Sequence, residues 1–173
     1  MKSAPSPDEV RVPIGCDADI VSARQKGREL AAQCGFSATD LAVVATAISE
    51  LARNIVHYAA RGEIVLRAVE NGTTKRGVEV VATDDGPGIH DLTLAMQDGY
   101  STSGSLGLGL PGVRRLMDEF DIVSKSGKGT VVTVGRPPRR PRWRCGAWSG
   151  PRDSRSSHWS DPVTRGWPRP GAP

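Results

Sequence analysis

The sequence predicts an α/β fold, an α+β two-layer sandwich with helices packed on one face of a mixed sheet. Three observations carry that prediction. Two long stretches in the first third of the chain repeat apolar residues at helical spacing. Five shorter, β-branched-rich stretches read as strands. Polar, Gly-bounded turns separate them, and the last two strands close as a hairpin.

Taken in order, Asp8–Ile14 is expected as a strand, with Val10, Val12 and Ile14 on one side. A helix follows over Asp17–Cys34, with acidic residues in its first turn and Gly35 just past its end. Ser37 opens a second helix, with Asp40 placed as in a capping box. Leu41, Val44, Ala45, Ile48, Leu51, Ala52 and Ile55 then form its apolar stripe, and it is expected to run to Ala60 and stop at Gly62. Strands over Glu63–Glu70 and Val78–Thr83 flank the loop Asn71–Gly77. Asp84-Asp85-Gly86-Pro87-Gly88 breaks the chain, and His90–Ser105 shows no clear period. A third helix is expected over Leu108–Glu119, then strands over Phe120–Ser124 and Thr130–Val134 around Gly127-Lys128-Gly129.

A chain of 173 residues holds one domain with a real core. Its longest mostly apolar run, Leu41–Ile48, falls far short of the roughly 20 residues that span a membrane. The N-terminus lacks an apolar signal core, which predicts a cytoplasmic protein. Cys16, Cys34 and Cys145 form no CxxC pair, so neither a disulfide framework nor a zinc site is indicated. The net charge of +4 is unevenly spread: residues 137–173 contain eight Arg and two Asp, leaving the first 136 residues mildly acidic. The high isoelectric point therefore belongs to the tail and does not point to a nucleic-acid-binding domain.

Two domains of different character follow from this: a folded domain over 1–136 and a Pro/Arg/Trp-rich tail over 137–173. The tail has eight of the 13 prolines and no helical or strand period, and it is read as disordered. Trp143, Trp148, Trp159 and Trp167 alternate with Arg, a pattern that can stack on single-stranded nucleic acid or touch a membrane. An unselected extension explains it more simply, and neither partner is expected.

Three segments carry chemistry. At about 100° per residue, Glu50, Asn54 and His57 share one stripe of the second helix, away from its apolar side. An Asn carbonyl suits Mg²⁺, and a Glu one turn away can take a proton from a group attacking phosphorus. A solvated polar face would look the same. Asp84, at a strand end, can accept from an exocyclic amine such as adenine's, with Gly86 and Gly88 allowing close approach to a flat base. Alone, that segment is also a tight turn. Gly104, Gly107 and Gly109 open a helix whose amides suit phosphate. No GxxxxGK[ST] occurs, and Gly107-x-Gly109-x-x-Gly112 follows a loop where a dinucleotide motif needs a strand.

In this order the segments resemble the GHKL (Bergerat-fold) ATP-binding superfamily: Glu50–Asn54 its N box, Asp84–Ile89 its G1 box, Gly104–Leu110 its G2 box. Asp98–Ser103 and Gly107–Phe120 are similar to RsbT-type serine kinases, and the resemblance covers residues 8–136. It implies a Bergerat fold, ATP and Mg²⁺ as cofactors, Asn54 as the metal ligand and Glu50 as the general base. It further implies that Asp84 binds the adenine amine, with Thr130 helping through a water, and that Gly86 and Gly88 line the base. Gly104, Gly107 and Gly109 would cradle phosphates, under a lid over 91–103. His57 is expected to pack rather than catalyse, and Arg53, Lys125 and Lys128 are the candidate γ-phosphate clamps. The implied substrate is a serine or threonine on a STAS-domain anti-sigma-factor antagonist, with activation of a PP2C-type phosphatase as a second role.

About 35 residues precede the N-box helix, so phosphorylation of an upstream His is not expected. Two other readings compete. One is a nucleotide-controlled anti-sigma factor that sequesters a sigma factor, and the other is a pure phosphatase activator with a degenerate site. Leu106–Phe120 favours the kinase over the first, and intact Glu50, Asn54 and Asp84 favour it over the second.

Overall fold

Ser37 accepts a hydrogen bond from the Asp40 amide at 3.2 Å and starts the central helix where the sequence places it. The computed structural model describes residues 9–70, 76–97 and 109–137. In chain order these form β1 (Glu9–Ile14), α1 (Asp17–Gln33), α2 (Ala38–Asn54), a π-turn (Ile55–Ala59), β2 (Gly62–Glu70), β3 (Arg76–Asp84), α3 (Leu92–Ala95), α4 (Gly109–Leu116), β4 (Glu119–Ser124) and β5 (Thr130–Arg136). The five strands make one sheet in the order β1-β2-β3-β5-β4. Every pairing is antiparallel, so the sheet is not mixed.

The two-layer sandwich follows from strand alternation. Val12, Ile14, Ile64, Leu66, Val78, Val80, Val132 and Val134 point to one side and meet Ala23, Ile48 and Leu51 of α1 and α2 in a single core. α1 and α2 approach closely at Gly27, where a Cβ would lie 2.1 Å from Ile48 Cδ1. On the opposite side of the sheet, Glu9, Arg11, Glu63, Arg67 and Glu79 form ion pairs across β1, β2 and β3.

Three local differences from the sequence expectation have physical causes. The second helix does not continue regularly to Ala60. It widens into the π-turn after Asn54 and ends at Ala60 in the left-handed conformation, φ 63°. That exit brings Gly62 into register with Asp84. α4 stops at Leu116 because Glu119 is drawn into pairing with Gly135. α3, a single turn capped by Asp91, lies in the stretch where no element was expected. Residues 71–75 of the β2–β3 loop, residues 98–108 and residues 138–173 lie outside the described residues.

Candidate functional site

Strand register assembles one wall of the site. Asp84, the last residue of β3, pairs with Thr130, the first of β5, and Thr130 pairs in turn with Ser124, the last of β4. Their strand neighbours Ala82, Val132 and Ile122 belong to the helix-side core, so all three side chains project from that same face. Asp84 Oδ1 accepts the Gly86 amide at 2.8 Å. Its second oxygen has no protein partner among the described residues, which leaves an acceptor free at the strand end.

The loop after Asp84 is pressed against the β4–β5 turn. A Cβ on Gly129, φ 82°, would sit 1.9 Å from the Asp84 carbonyl oxygen. One on Gly88, φ 72°, would sit 2.3 Å from the Lys125 carbonyl oxygen. Gly127 N donates to Pro87 O at 2.8 Å, and Ile89 N donates to Ser124 Oγ at 2.7 Å. Gly86 lies on the π-turn, where a Cβ would meet that of Ala59 at 2.6 Å. The π-turn therefore connects the end of α2 to the Asp84 loop.

The second wall is the last turn of α2. Glu50 is buried at 7% exposure, unusual for a carboxylate. One of its oxygens accepts from Arg53 Nη1, and the other accepts the Gly109 amide at 3.1 Å. The carboxylate thus holds the first amide of α4 while keeping lone pairs for a further proton. Asn54, half-buried, is the last residue of α2, and its side chain makes no hydrogen bond among the described residues. His57 is exposed on the π-turn, and the widened winding breaks the regular stripe that the sequence suggests with Glu50 and Asn54. Of the candidate clamps, Arg53 pairs with Glu50, whereas Lys125 and Lys128 are exposed in the turn facing the Gly88 loop.

The structure thus brings together Glu50, Asn54 and Gly109 on one side, and Asp84, Gly86, Gly88 and Thr130 on the other, joined through the π-turn. Gly104 and Gly107 lie outside the described residues, as do residues 98–103 of the expected lid. The donor set fits a magnesium nucleotide. An unpartnered Asn amide suits a hard cation that keeps most of its waters, and a free carboxylate oxygen suits an amine. Ser124 was not singled out from the sequence. Its signal was a polar residue continuing the inward alternation of Phe120 and Ile122 directly before the Gly-rich turn.

Comparison with known proteins gives the family of the chain. The family described as "Histidine kinase-like ATPase domain" matches residues 16–136. "Serine/threonine-protein kinase RsbT" of Bacillus subtilis (strain 168) is 51% identical over 125 residues, covering 72% of this chain and 93% of that protein. "Anti-sigma F factor" of Caldanaerobacter subterraneus subsp. tengcongensis is 29% identical over 107 residues, covering 60% of this chain and 75% of that one. Among solved structures, the RsbU and RsbW domains of a Mycobacterium tuberculosis protein share the fold at a TM-score of 0.55 and 21% identity, covering 79% of this chain and 34% of that one. No helix among the described residues is long and apolar enough to cross a membrane. The chain belongs to the histidine kinase-like ATPase family, on its RsbT-type branch, and carries that family's ATP-binding domain.

Proposed function

We propose that this chain is a serine/threonine kinase that transfers a phosphoryl group from ATP to a partner protein. The observation that carries the reading is the buried Glu50, which faces the first amide of α4 one helical turn from Asn54, whose side chain has no partner among the described residues. The 51% identity to a protein named as a serine/threonine kinase supports it.

In this reading Asp84 accepts from the adenine amine, Thr130 assists, and Gly86 and Gly88 let the loop approach the base. Asn54 holds Mg²⁺, which when bound neutralises charge on the phosphates. Gly104, Gly107 and Gly109 are assigned to those phosphates as the Gly-rich segment that opens α4, with the N–H of Gly109 itself held by Glu50. Glu50 takes the proton from the attacking serine or threonine hydroxyl. Its bond to Gly109 fixes the carboxylate beside the helix that carries the phosphate-facing amides, so positioning supplies much of the catalysis. Arg53 orients the other carboxylate oxygen.

The substrate class is a STAS-domain protein, with a PP2C-type phosphatase as a second partner, acting in the cytoplasm. The domain is residues 1–136, and residues 137–173 are a tail dispensable for catalysis. The anti-sigma relative supports a second reading, sequestration of a sigma factor, but at 29% identity against 51%. Incubation with labelled ATP and Mg²⁺ beside STAS-domain proteins tests the first. Label on a STAS-domain serine or threonine is expected, whereas tight sigma-factor binding without transfer would replace it with the second.

A further inference from the structure

Ser124 occupies a junction that the roles above leave unused. Its hydroxyl lies 2.7 Å from Ile89 N, 2.9 Å from Thr130 Oγ1 and 3.3 Å from Gly129 O. A hydroxyl has one proton and two lone pairs. The Ile89 amide can only donate, so it takes one lone pair. The Gly129 carbonyl can only accept, and its second lone pair receives Lys125 N at 3.3 Å. All three Ser124 contacts are hydrogen bonds in just one arrangement: Ser124 donates to Gly129 O, and Thr130 donates to Ser124 Oγ. Reversing the Ser124–Thr130 bond leaves Ser124 without a proton for Gly129.

In that arrangement the Thr130 proton is turned towards β4, and the Thr130 oxygen offers only a lone pair to the site. Beside it in the β3–β5 register stands Asp84, whose carboxylate also only accepts. Met directly by the base rather than through a water, two neighbouring acceptors complement a purine with an amino group at position 6, which has two N–H donors. They oppose a purine with a carbonyl there, because acceptor would face acceptor.

We infer that Ser124 is a positioning residue for nucleobase selection, fixing Thr130 as an acceptor and so biasing the site towards 6-amino purines over 6-oxo purines. This rests on the proposed nucleotide site and assigns the source of its selectivity. Thr130 is 8% exposed, so little solvent reaches it to scramble the orientation. Freed from Ser124, its hydroxyl can turn and donate to a carbonyl.

The test is calorimetric binding of ATP and of ITP, which carries a 6-oxo base, to the full chain. The wild type is expected to prefer ATP, and Ser124→Ala to narrow the ATP-to-ITP affinity ratio about tenfold, the loss of one well-placed hydrogen bond. Ser124→Thr, which keeps the hydroxyl, is expected to restore the ratio. Thr130→Val is expected to narrow it alike, with Ser124→Ala adding nothing on that background. Should Ser124→Ala fold poorly, Thr130→Val still gives the reading. Equal weakening of both nucleotides in Ser124→Ala, or an unchanged ratio in Thr130→Val, would overturn the inference. Binding of neither nucleotide by the wild type would overturn the ATP-site reading itself, and the inference with it.

Discussion

Arg136 Nη2 lies 2.6 Å from Asp40 Oδ1, joining the end of the last strand to the first turn of α2 across 96 residues of sequence. Both side chains are buried, at 3% and 9% exposure. The guanidinium also donates to Leu116 O at 2.8 Å and to Asp118 at 3.2 Å, and so caps the C-terminal end of α4. Asp40 serves Ser37 at the same time, through a 2.7 Å bond from the Ser37 hydroxyl.

Breaking this pair from one side removes a buried, hydrogen-bonded contact between opposite charges. Arg136→Ala is expected to cost about 3–5 kcal/mol, read as a lower urea midpoint. The double replacement Asp40→Leu with Arg136→Met is expected to cost clearly less than the sum of the singles. Additive losses would show that the pair is not coupled.

The same contact sets where the chain can be shortened. Ending it after Pro137 is expected to preserve the urea midpoint and nucleotide binding. Ending it after Gly135 is expected to lower the midpoint as Arg136→Ala does. Equal behaviour of the two truncations would remove the role given to Arg136.

Asp84→Asn replaces an acceptor-only group with one that presents an N–H₂ to the base. ATP binding is expected to fall at least about tenfold, with the urea midpoint little changed. Unchanged affinity in calorimetry would remove Asp84 from the adenine site.

Glu50→Gln keeps the size of the side chain and an oxygen for the Gly109 amide. ATP is expected to remain bound while phosphoryl transfer slows by about 10²–10⁴, the usual contribution of a general base. Transfer at the wild-type rate would show that Glu50 only positions α4.

Glu9, on the outer sheet face, gives a pH prediction. The hydrogen bond from Arg67 holds its carboxyl below the usual value of 4.5; burial opposes this, and Arg11 assists. Arg67 Nε donates at 2.7 Å, while Arg11 Nη2 stands 2.6 Å from the other oxygen as an ion pair outside hydrogen-bond alignment. A lowered folded-state value means that the ionised form stabilises the fold above about pH 4.5 and that this stability is lost as pH falls. Glu9→Gln is therefore expected to destabilise at pH 7, by less than about 1 kcal/mol because both arginines are half-exposed. The gap in urea midpoints should close towards pH 3, and a gap independent of pH would exclude the ionic origin.

The sequence revealed what is encoded locally. The start of α2 was legible because Ser37 and Asp40 lie within one turn, and the core-facing stripe from Leu41 to Ile55 because periodicity is a property of neighbours. Glu50, Asn54 and Asp84 were legible as motif residues, since their chemistry depends on residue type. The second bond of Asp40, to Arg136, was not, because nothing near either residue announces the other. The π-turn was missed because Ile55–Ala59 has ordinary helical propensity, and packing against Gly62 and Gly86 decides its winding. Ser124 was missed because its importance comes from pairing with Thr130, and the all-antiparallel sheet because strand direction is set by partners rather than by pattern.

Asp84, Thr130 and Ser124 come from three strands and meet only because β3, β5 and β4 are held in one alignment. A slip of β5 by a single residue would keep a hydrogen-bonded ladder but turn Thr130 to the opposite face of the sheet. Circular dichroism would still count such a molecule as folded. On the nucleotide site proposed above such a molecule would not bind ATP, so titration with ATP doubles as a proofreading assay, counting only those chains whose strands have found their proper partners.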